Sequence, residues 1–140
     1  MKKYLIVLTL LLLVVTGCGN TKKLTCSMSK NETMAKADME FDKKDNLTKM
    51  TTTMSQEFEK ELSKEELETY QQLLGNSCSE YDSEYVDCKI DINSKKFEIV
   101  ISYDVTKMTN EQLEDMGYTR KTAIYSTMKE DAEADGFTCK

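Results

Sequence analysis

The chain has 140 residues, with 25 acidic and 19 basic side chains, no His and a formal net charge of −6. This length suits one domain, and a hydrophobic content of 39% favours a folded core over disorder. The acidic balance argues against a nucleic-acid partner, because phosphates need a basic surface. It also argues against electrostatic binding to anionic lipid, which depends on clustered Lys or Arg.

The first 17 residues have the order of a bacterial export signal. Two Lys residues precede the apolar run Tyr4 to Val15, and a small residue stands just before Cys18. The run is shorter than the roughly 20 apolar residues that a spanning helix needs. The four residues Val15 to Cys18 resemble the lipobox of bacterial lipoproteins. The resemblance implies cleavage between Gly17 and Cys18, a diacylglycerol on the Cys18 sulfur and commonly an amide-linked acyl chain such as palmitate.

The sequence therefore divides into three parts. Residues 1 to 17 are the predicted signal peptide, residues 18 to 23 the lipidated N-terminus and a polar tether, and residues 24 to 140 a single domain. We expect an exported protein, anchored by its lipid to the outer face of the bacterial cell membrane or to another envelope membrane. Several acyl chains matter, because each buried methylene contributes about 0.8 kcal/mol and one chain holds only weakly. An ordinary secretory peptide with a chance Cys is the alternative.

Four cysteines remain besides Cys18, an even number that suits disulfides in an exported chain. Of the three possible pairings we favour Cys78 with Cys88, around a polar loop, and Cys26 with Cys139, which would join the first strand to the C-terminal tail. Free buried thiols are the alternative. A zinc site is not predicted, because the chain has no CxxC motif and no His.

Apolar and polar residues alternate in five segments, which predicts five half-buried strands. The first three form a predicted meander, with a polar break at residues 30 to 32 and a charged turn at residues 42 to 46. The segments are Leu24 to Met28, Ala35 to Phe41, Leu47 to Met54, Val86 to Ile92 and Phe97 to Val105.

Three helices are predicted from capping signals at their first turns. The predicted starts are Ser63 with Glu66, then Thr109 or Asn110, then Thr127 with Glu130, and the predicted ends are Gly75, Gly117 and Gly136. Strands followed by helices indicate an α+β fold. We expect an antiparallel meander sheet of about five strands with the helices packed on one face.

The pattern resembles the YehR-like family of small bacterial lipoproteins. The likeness rests on the lipobox at Cys18, the charged turn Lys43 to Asp45, the late strand Phe97 to Val105, and the closing helix Met128 to Gly136 followed by Phe137. It covers most of the mature chain. It implies a shared fold, and the family brings no established activity and no catalytic residues to transfer.

No enzyme activity is expected, because the chain lacks His, the commonest general base, and with it every Ser-His-Asp or Cys-His arrangement. A carboxylate pair such as Asp87 and Asp91 could still act as acid and base, so a carboxylate-only enzyme is an alternative function. No phosphate-binding glycine motif occurs, and no cofactor is predicted.

Methionine is the one compositional excess, with nine in the chain. Met28, Met39, Met50 and Met54 all fall in the predicted meander. Thioethers bind Cu(I) or form adaptable ligand surfaces, which makes metal handling by Met and Cys a second alternative. Core filling is the favoured interpretation, because Met28 and Met39 are in register with apolar neighbours.

Tyr81 and Tyr85 lie in the predicted disulfide-closed loop and are the expected exposed aromatic pair, hence a possible recognition edge. The lipobox residues predict a membrane anchor, whereas no residue pattern predicts a catalytic site. The sequence thus predicts a non-catalytic binding or envelope-associated module, attached to the membrane through its lipid, with an unidentified protein or small-molecule ligand.

Overall fold

The computed structural model describes residues 21–81 and 83–140, which contain six strands and three α-helices. In chain order these are β1 (Lys22–Lys30), β2 (Thr33–Phe41), β3 (Leu47–Glu57), α1 (Lys64–Gly75), β4 (Val86–Ile92), β5 (Lys96–Asp104), α2 (Asn110–Asp115), α3 (Tyr125–Ala134) and β6 (Thr138–Cys139). Strand β1 begins at Lys22, so two residues assigned to the tether belong to the sheet. No helix in the described ranges is long and apolar enough to cross a membrane.

The six strands form one antiparallel sheet in the order β4-β5-β3-β2-β1-β6. The first three strands make the predicted meander, and the hairpin of β4 and β5 extends it beyond β3. The expectation of about five strands was wrong by one, because the sheet gains β6. That strand has two residues, Thr138 and Cys139, which is too short to produce a recognisable alternation in the sequence.

Alternating side chains divide the sheet into an apolar and a polar face. Leu24, Met39 and Met50 lie side by side across β1, β2 and β3 on the apolar face. The polar face carries hydroxyls and charges, and the Thr25 hydroxyl donates to the Asp38 carboxylate at 2.7 Å. The helices pack on the apolar face, an arrangement consistent with the predicted α+β class.

The buried core lies between β1 to β3 and the C-terminal half of the chain. Its members are Leu24, Cys26, Met39, Phe41, Leu47, Met50, Val105, Met108, Leu113, Ala123 and Met128. Helix α1, by contrast, has no buried residue. It lies against the β4 end of the sheet, where Tyr70 contacts Phe58 with ring centroids 5.4 Å apart. The well-packed part of the molecule is therefore the β1 to β3 end.

Two of the three predicted helix starts are confirmed. Ser63 accepts a hydrogen bond from the Glu66 backbone N–H, and the Glu66 carboxylate accepts one from the Ser63 N–H. Thr109 and Gln112 form the same reciprocal box at the start of α2. Each box satisfies backbone donors that the first helical turn leaves without a partner.

The predicted start of the last helix was wrong. Helix α3 begins at Tyr125 rather than near Thr127, and its N-cap, Ile124, makes no side-chain capping bond. The backbone of the turn before β3 holds the helix start instead. The Tyr125 N–H donates to the Asp45 carbonyl at 3.0 Å, and the Leu47 N–H donates to the Ala123 carbonyl at 2.9 Å. A start held by distant backbone carries no capping signal in the sequence.

The turn that receives α3 is itself ordered by Asp42. Its carboxylate accepts hydrogen bonds from the backbone N–H groups of Lys44, at 2.8 Å, and Asn46, at 2.9 Å. Bonds from the side chain and backbone of Asn46 hold the pKa of Asp42 below its usual range. The turn thus provides a fixed edge against which the C-terminal half of the chain docks.

Arg120 fixes the segment between α2 and α3. Its guanidinium donates to the backbone carbonyls of Val105, at 3.0 Å, and Met108, and its Nε donates to Asn110. These partners lie at or just before the start of α2, so Arg120 ties the segment that follows this short helix to the segment that precedes it. A planar guanidinium can do this because its donors point in several fixed directions.

Two disulfides join the four cysteines of the domain. Cys26 pairs with Cys139 and Cys78 pairs with Cys88, which is the pairing that sequence analysis favoured. Thr25 and Lys140 exchange both backbone hydrogen bonds, so the neighbouring pair, Cys26 and Cys139, occupies the closely spaced kind of antiparallel position. The bridge therefore connects directly opposed residues of β1 and β6.

We predict that removing the Cys26–Cys139 bridge destabilises the domain more than removing the Cys78–Cys88 bridge. The first closes a separation of 113 residues and the second one of 10, and the loop-entropy contribution of a disulfide grows with loop length. Ala is the replacement of choice, because Ser would place a hydroxyl at the fully buried Cys26. The double variant Cys26→Ala with Cys139→Ala should lose about 2 to 5 kcal/mol of unfolding free energy.

The measurement is urea unfolding followed by circular dichroism, with Cys78→Ala with Cys88→Ala as the matched variant. An equal or larger loss in that second variant would contradict the prediction.

Candidate functional site

An apolar cleft opens between the sheet and the C-terminal helix. It has a volume of about 240 Å³. Its floor comes from β1, β2 and β3, and its walls come from α3, the C-terminal tail and the segment after α2. The floor residues are Cys26, Ala37, Met39, Met50 and Thr52, and the wall residues are Met116, Tyr118, Met128, Asp131, Ala132, Asp135 and Phe137.

Small side chains in one row of the sheet create the hollow. Cys26, Ala37 and Thr52 are direct neighbours across β1, β2 and β3. The adjacent row, which includes Met39 and Met50, carries large side chains that fill the space beneath the helices. A row of short side chains beside a row of long ones leaves a depression under the same covering layer.

Helix α3 supplies one wall through a single face. Met128, Asp131, Ala132 and Asp135 recur at the spacing that places residues on one side of a helix. Ala132 lines the cleft with a short side chain and therefore adds to the hollow. The two carboxylates, which are exposed, lie toward the open side of the cleft.

Two glycines shape the other walls by adopting positive φ angles. Gly117, at 87°, ends α2 and lets Met116 and Tyr118 both line the cleft. Gly136, at 92°, ends α3, and the following Phe137 N–H donates back to the Ala132 carbonyl at 2.9 Å. Phe137 is thereby turned into the cleft before the chain pairs with β1.

Four methionines line the cleft: Met39, Met50, Met116 and Met128. Their unbranched thioether side chains change rotamer at low cost and accommodate apolar groups of different shape. Met39 and Met128 are each only 3% exposed, so they act as core residues as well as cleft residues. The interpretation of the methionines as core filling agrees with the burial of Met39 and Met50, whereas Met54 is 49% exposed.

The open side of the cleft is acidic. Burial raises the pKa of the Tyr118 phenol, and the nearby carboxylates of Asp131 and Asp135 raise it further. The phenol therefore stays protonated at neutral pH and can donate a hydrogen bond. A ligand would meet an apolar interior bordered by one neutral hydroxyl and two negative charges.

The predicted recognition edge is not an exposed aromatic pair. Tyr81 is 38% exposed, but Tyr85 is half-buried and packs against the core. Tyr85 also lines an open polar depression of about 740 Å³ together with Tyr103 and Asp104. The polar loop predicts an exposed Tyr85, whereas the hydrogen bond from the Asp104 N–H to the Tyr85 carbonyl holds its backbone against β5.

The other candidate residues from the sequence are Gly17, Cys18, Asp87 and Asp91. Gly17 and Cys18 lie outside the described residues, so cleavage and lipidation stay predictions. Asp87 is exposed and pairs with Lys89 at 3.2 Å, and Asp91 is exposed on the same polar face. Within residues 21–81 and 83–140, no group of three or more Cys, Asp or Glu residues could hold a metal ion.

Sequence reasoning did not predict the cleft. The strand alternation placed Cys26, Ala37 and Met39 on the apolar face, and that part of the prediction is confirmed. Ala37 and Ala132 mark the hollow, but each is an ordinary small residue in its own segment. Only their apposition across two layers gives them a role.

Comparison with known proteins supports the fold. No protein-family model matches the chain, and no curated protein matches its sequence. The structure is similar to the NMR structure of the YehR protein of E. coli, with a TM-score of 0.59 over 86% of this chain and 91% of that chain. At 15% sequence identity this structural similarity supports a YehR-like fold, and no ligand or activity is inferred from it. Membership in the lipoprotein family stays a prediction.

We predict that the acidic border of the cleft can be observed through Tyr118. Replacing Asp131 or Asp135 with Asn removes a negative charge that opposes ionisation of the phenol, so the pKa of Tyr118 should fall toward its ordinary value. Ring-carbon NMR during a pH titration measures this pKa. Glu130→Gln removes the same charge from an exposed position on the same helix and should leave the pKa of Tyr118 higher than either Asn variant does. An equal fall in the pKa of Tyr118 in all three variants would show that Asp131 and Asp135 are no closer to the phenol than Glu130 is.

Proposed function

We propose that this protein is a lipid-anchored, non-catalytic binding module of the bacterial envelope, and that the cleft over Ala37 is its ligand site. The observation that carries the proposal is the cleft itself, an opening of about 240 Å³ lined largely by apolar side chains and bordered by a few polar groups. Such a composition is typical of ligand sites, in which apolar walls supply affinity and a few polar groups supply orientation.

The predicted anchor would hold the cleft close to the membrane. Lys22, the first residue of β1, is four positions from the predicted lipid-bearing Cys18, a reach of roughly 14 Å at full extension. Cys26, in the cleft floor, is four positions farther along the same strand. A ligand bound in the cleft would thus be held near the envelope membrane, which suits a module that retains a molecule at that surface.

The chemistry of the cleft favours binding over the two alternative functions. All four cysteines of the domain are in disulfides, so no thiolate is free for a metal. Asp87 and Asp91 are exposed strand residues outside the cleft. The two carboxylates that do border the cleft, Asp131 and Asp135, extend from one helix face rather than from opposite sides of a bound molecule.

We predict that a large side chain at position 132 blocks ligand binding. Ala132 is half-buried in the cleft wall, and an indole there would occupy the hollow. The chain has no natural Trp, so Ala132→Trp introduces a single reporter whose blue-shifted emission would show that it is enclosed. The domain from Gly19 onward should bind the neutral fluorophore N-phenyl-1-naphthylamine, and Ala132→Trp should weaken that binding at least about tenfold, the loss of roughly 1.4 kcal/mol.

The control is Ala134→Trp, which adds the same side chain at an exposed position of α3 that does not line the cleft. It should bind the fluorophore as the natural chain does and show solvent-exposed Trp emission. Thermal melting must show both variants folded. Unchanged binding in a folded Ala132→Trp variant, or no fluorophore binding by the natural chain, would overturn the assignment of the cleft.

We predict that Cys18 is the anchoring residue. Replacing Cys18 with Ser removes the thiol that would carry the diacylglycerol, so the variant should not acquire acyl mass and should not be cleaved before residue 18. Mass spectrometry of protein extracted from bacterial membranes measures both. Natural protein that carries no acyl mass, or that begins at another residue, would refute anchoring at Cys18 and leave the ligand site untouched.

A further inference from the structure

The geometry points to a ligand class for this site, an inference that rests on the proposed function. We infer that the cleft binds a peptide segment that inserts one large apolar side chain between the sheet and α3 and places a neighbouring Lys or Arg against Asp131 and Asp135. Four features of the described residues carry this inference: the size of the cleft, the charge at its opening, the path beside it and the adaptability of its walls.

The size of the cleft limits what can enter it. Sites that enclose a whole drug-sized ligand have volumes of about 300 to 1,000 Å³. A hollow of about 240 Å³ falls below that range and is open on one side. It suits the end of a larger molecule, such as a single apolar side chain, while the remainder of that molecule lies outside. A long acyl chain would leave most of its length uncovered.

The negative charge at the opening favours a positively charged group on the part of the ligand that lies outside the cleft. Asp131 and Asp135 are both exposed, and none of the described residues that line the cleft is a Lys or Arg. The nearest basic residue on α3, Lys129, is paired with Glu133 at 3.8 Å. The two carboxylates are therefore available to a cation on the ligand. They would also repel an anionic lipid headgroup, which disfavours a phospholipid as the occupant.

A path for the rest of a peptide adjoins the cleft on the sheet. Ala35, Met54 and Ile99 are direct neighbours across β2, β3 and β5, and they lie two residues along from the row that contains Ala37 and Thr52. Met54 keeps 49% of its surface exposed, an unusual degree for a residue on the apolar face of a sheet. An extended segment anchored in the cleft can therefore continue over a second apolar position.

The walls suit a peptide whose anchor is not one fixed residue type. The four methionines that line the cleft can repack around branched or aromatic side chains. Methionine-rich surfaces bind varied apolar residues for this reason, and charges at the border then provide the selectivity. The structure thus assigns specificity to the acidic border and affinity to the apolar interior.

The test uses three blocked synthetic peptides that differ only beside one Phe, which is flanked by two Lys, two Gln or two Glu residues. Binding is measured by calorimetry to the domain from Gly19 onward, and by displacement of the fluorophore. The Lys peptide should bind most tightly and the Glu peptide least, and raising the salt concentration should narrow the difference. The double variant Asp131→Asn with Asp135→Asn should weaken the Lys peptide roughly threefold to tenfold, as expected for two partly exposed ion pairs.

The matched control is Glu130→Gln with Glu111→Gln, which removes two charges from exposed helix positions outside the cleft and leaves the Lys129–Glu133 pair intact. It should change binding of the Lys peptide much less. Three peptides of equal affinity, or an equal effect of both double variants, would overturn the inference while fluorophore binding left the proposed cleft standing. If the natural chain bound neither the peptides nor the fluorophore, both the peptide inference and the proposed ligand site would be overturned.

Discussion

The pairing of the C-terminal tail with β1 is the contact on which the rest of the molecule depends. The Cys26–Cys139 bridge and the backbone bonds between Thr25 and Lys140 hold β6 beside the first strand. Because α3 ends only a few residues earlier, this pairing also fixes the height of that helix above the sheet. Together with the backbone bonds at the start of α3, the pairing sets the position of Phe137 and the width of the cleft.

The cleft is a consequence of how the two layers meet rather than of a special motif. Backbone bonds from the turn after Asp42 set one end of α3, and the disulfide sets the other. Between these two fixed ends, the short side chains of Ala37 and Ala132 both line the gap and do not fill it. A hollow held open from both ends keeps its shape, which is what a binding site requires.

The distribution of polar groups supports a role in binding. The polar face of the sheet carries paired charges and hydroxyls, such as Asp38, which bonds with Thr25 and Lys36. Burial tends to raise the pKa of Asp38, but these hydrogen bonds outweigh it and hold the pKa below the usual range. None of the ion pairs between described residues involves Asp131 or Asp135 at the cleft opening. These two charges are therefore available to a ligand at the opening of the apolar cleft.

Much of the local structure followed from the sequence by itself. Alternation predicted the strands of the meander and the later hairpin, the residues at Ser63 and Thr109 predicted two helix starts, and the even set of cysteines led to the observed pairing. These signals are local, since strand faces repeat every second residue and a helix cap acts within its first turn. The export signal and lipid attachment at Cys18 rest on the sequence alone and stay predictions.

Tertiary structure decided the features that depend on contacts between distant segments of the chain. The start of α3 at Tyr125, the short strand β6 and the burial of Tyr85 each depend on backbone bonds to residues far away in the chain. The cleft depends on the distance between two layers, and no periodicity within one segment encodes that distance. The sequence determined which residues face inward, and the packing of the layers decided where space was left between them.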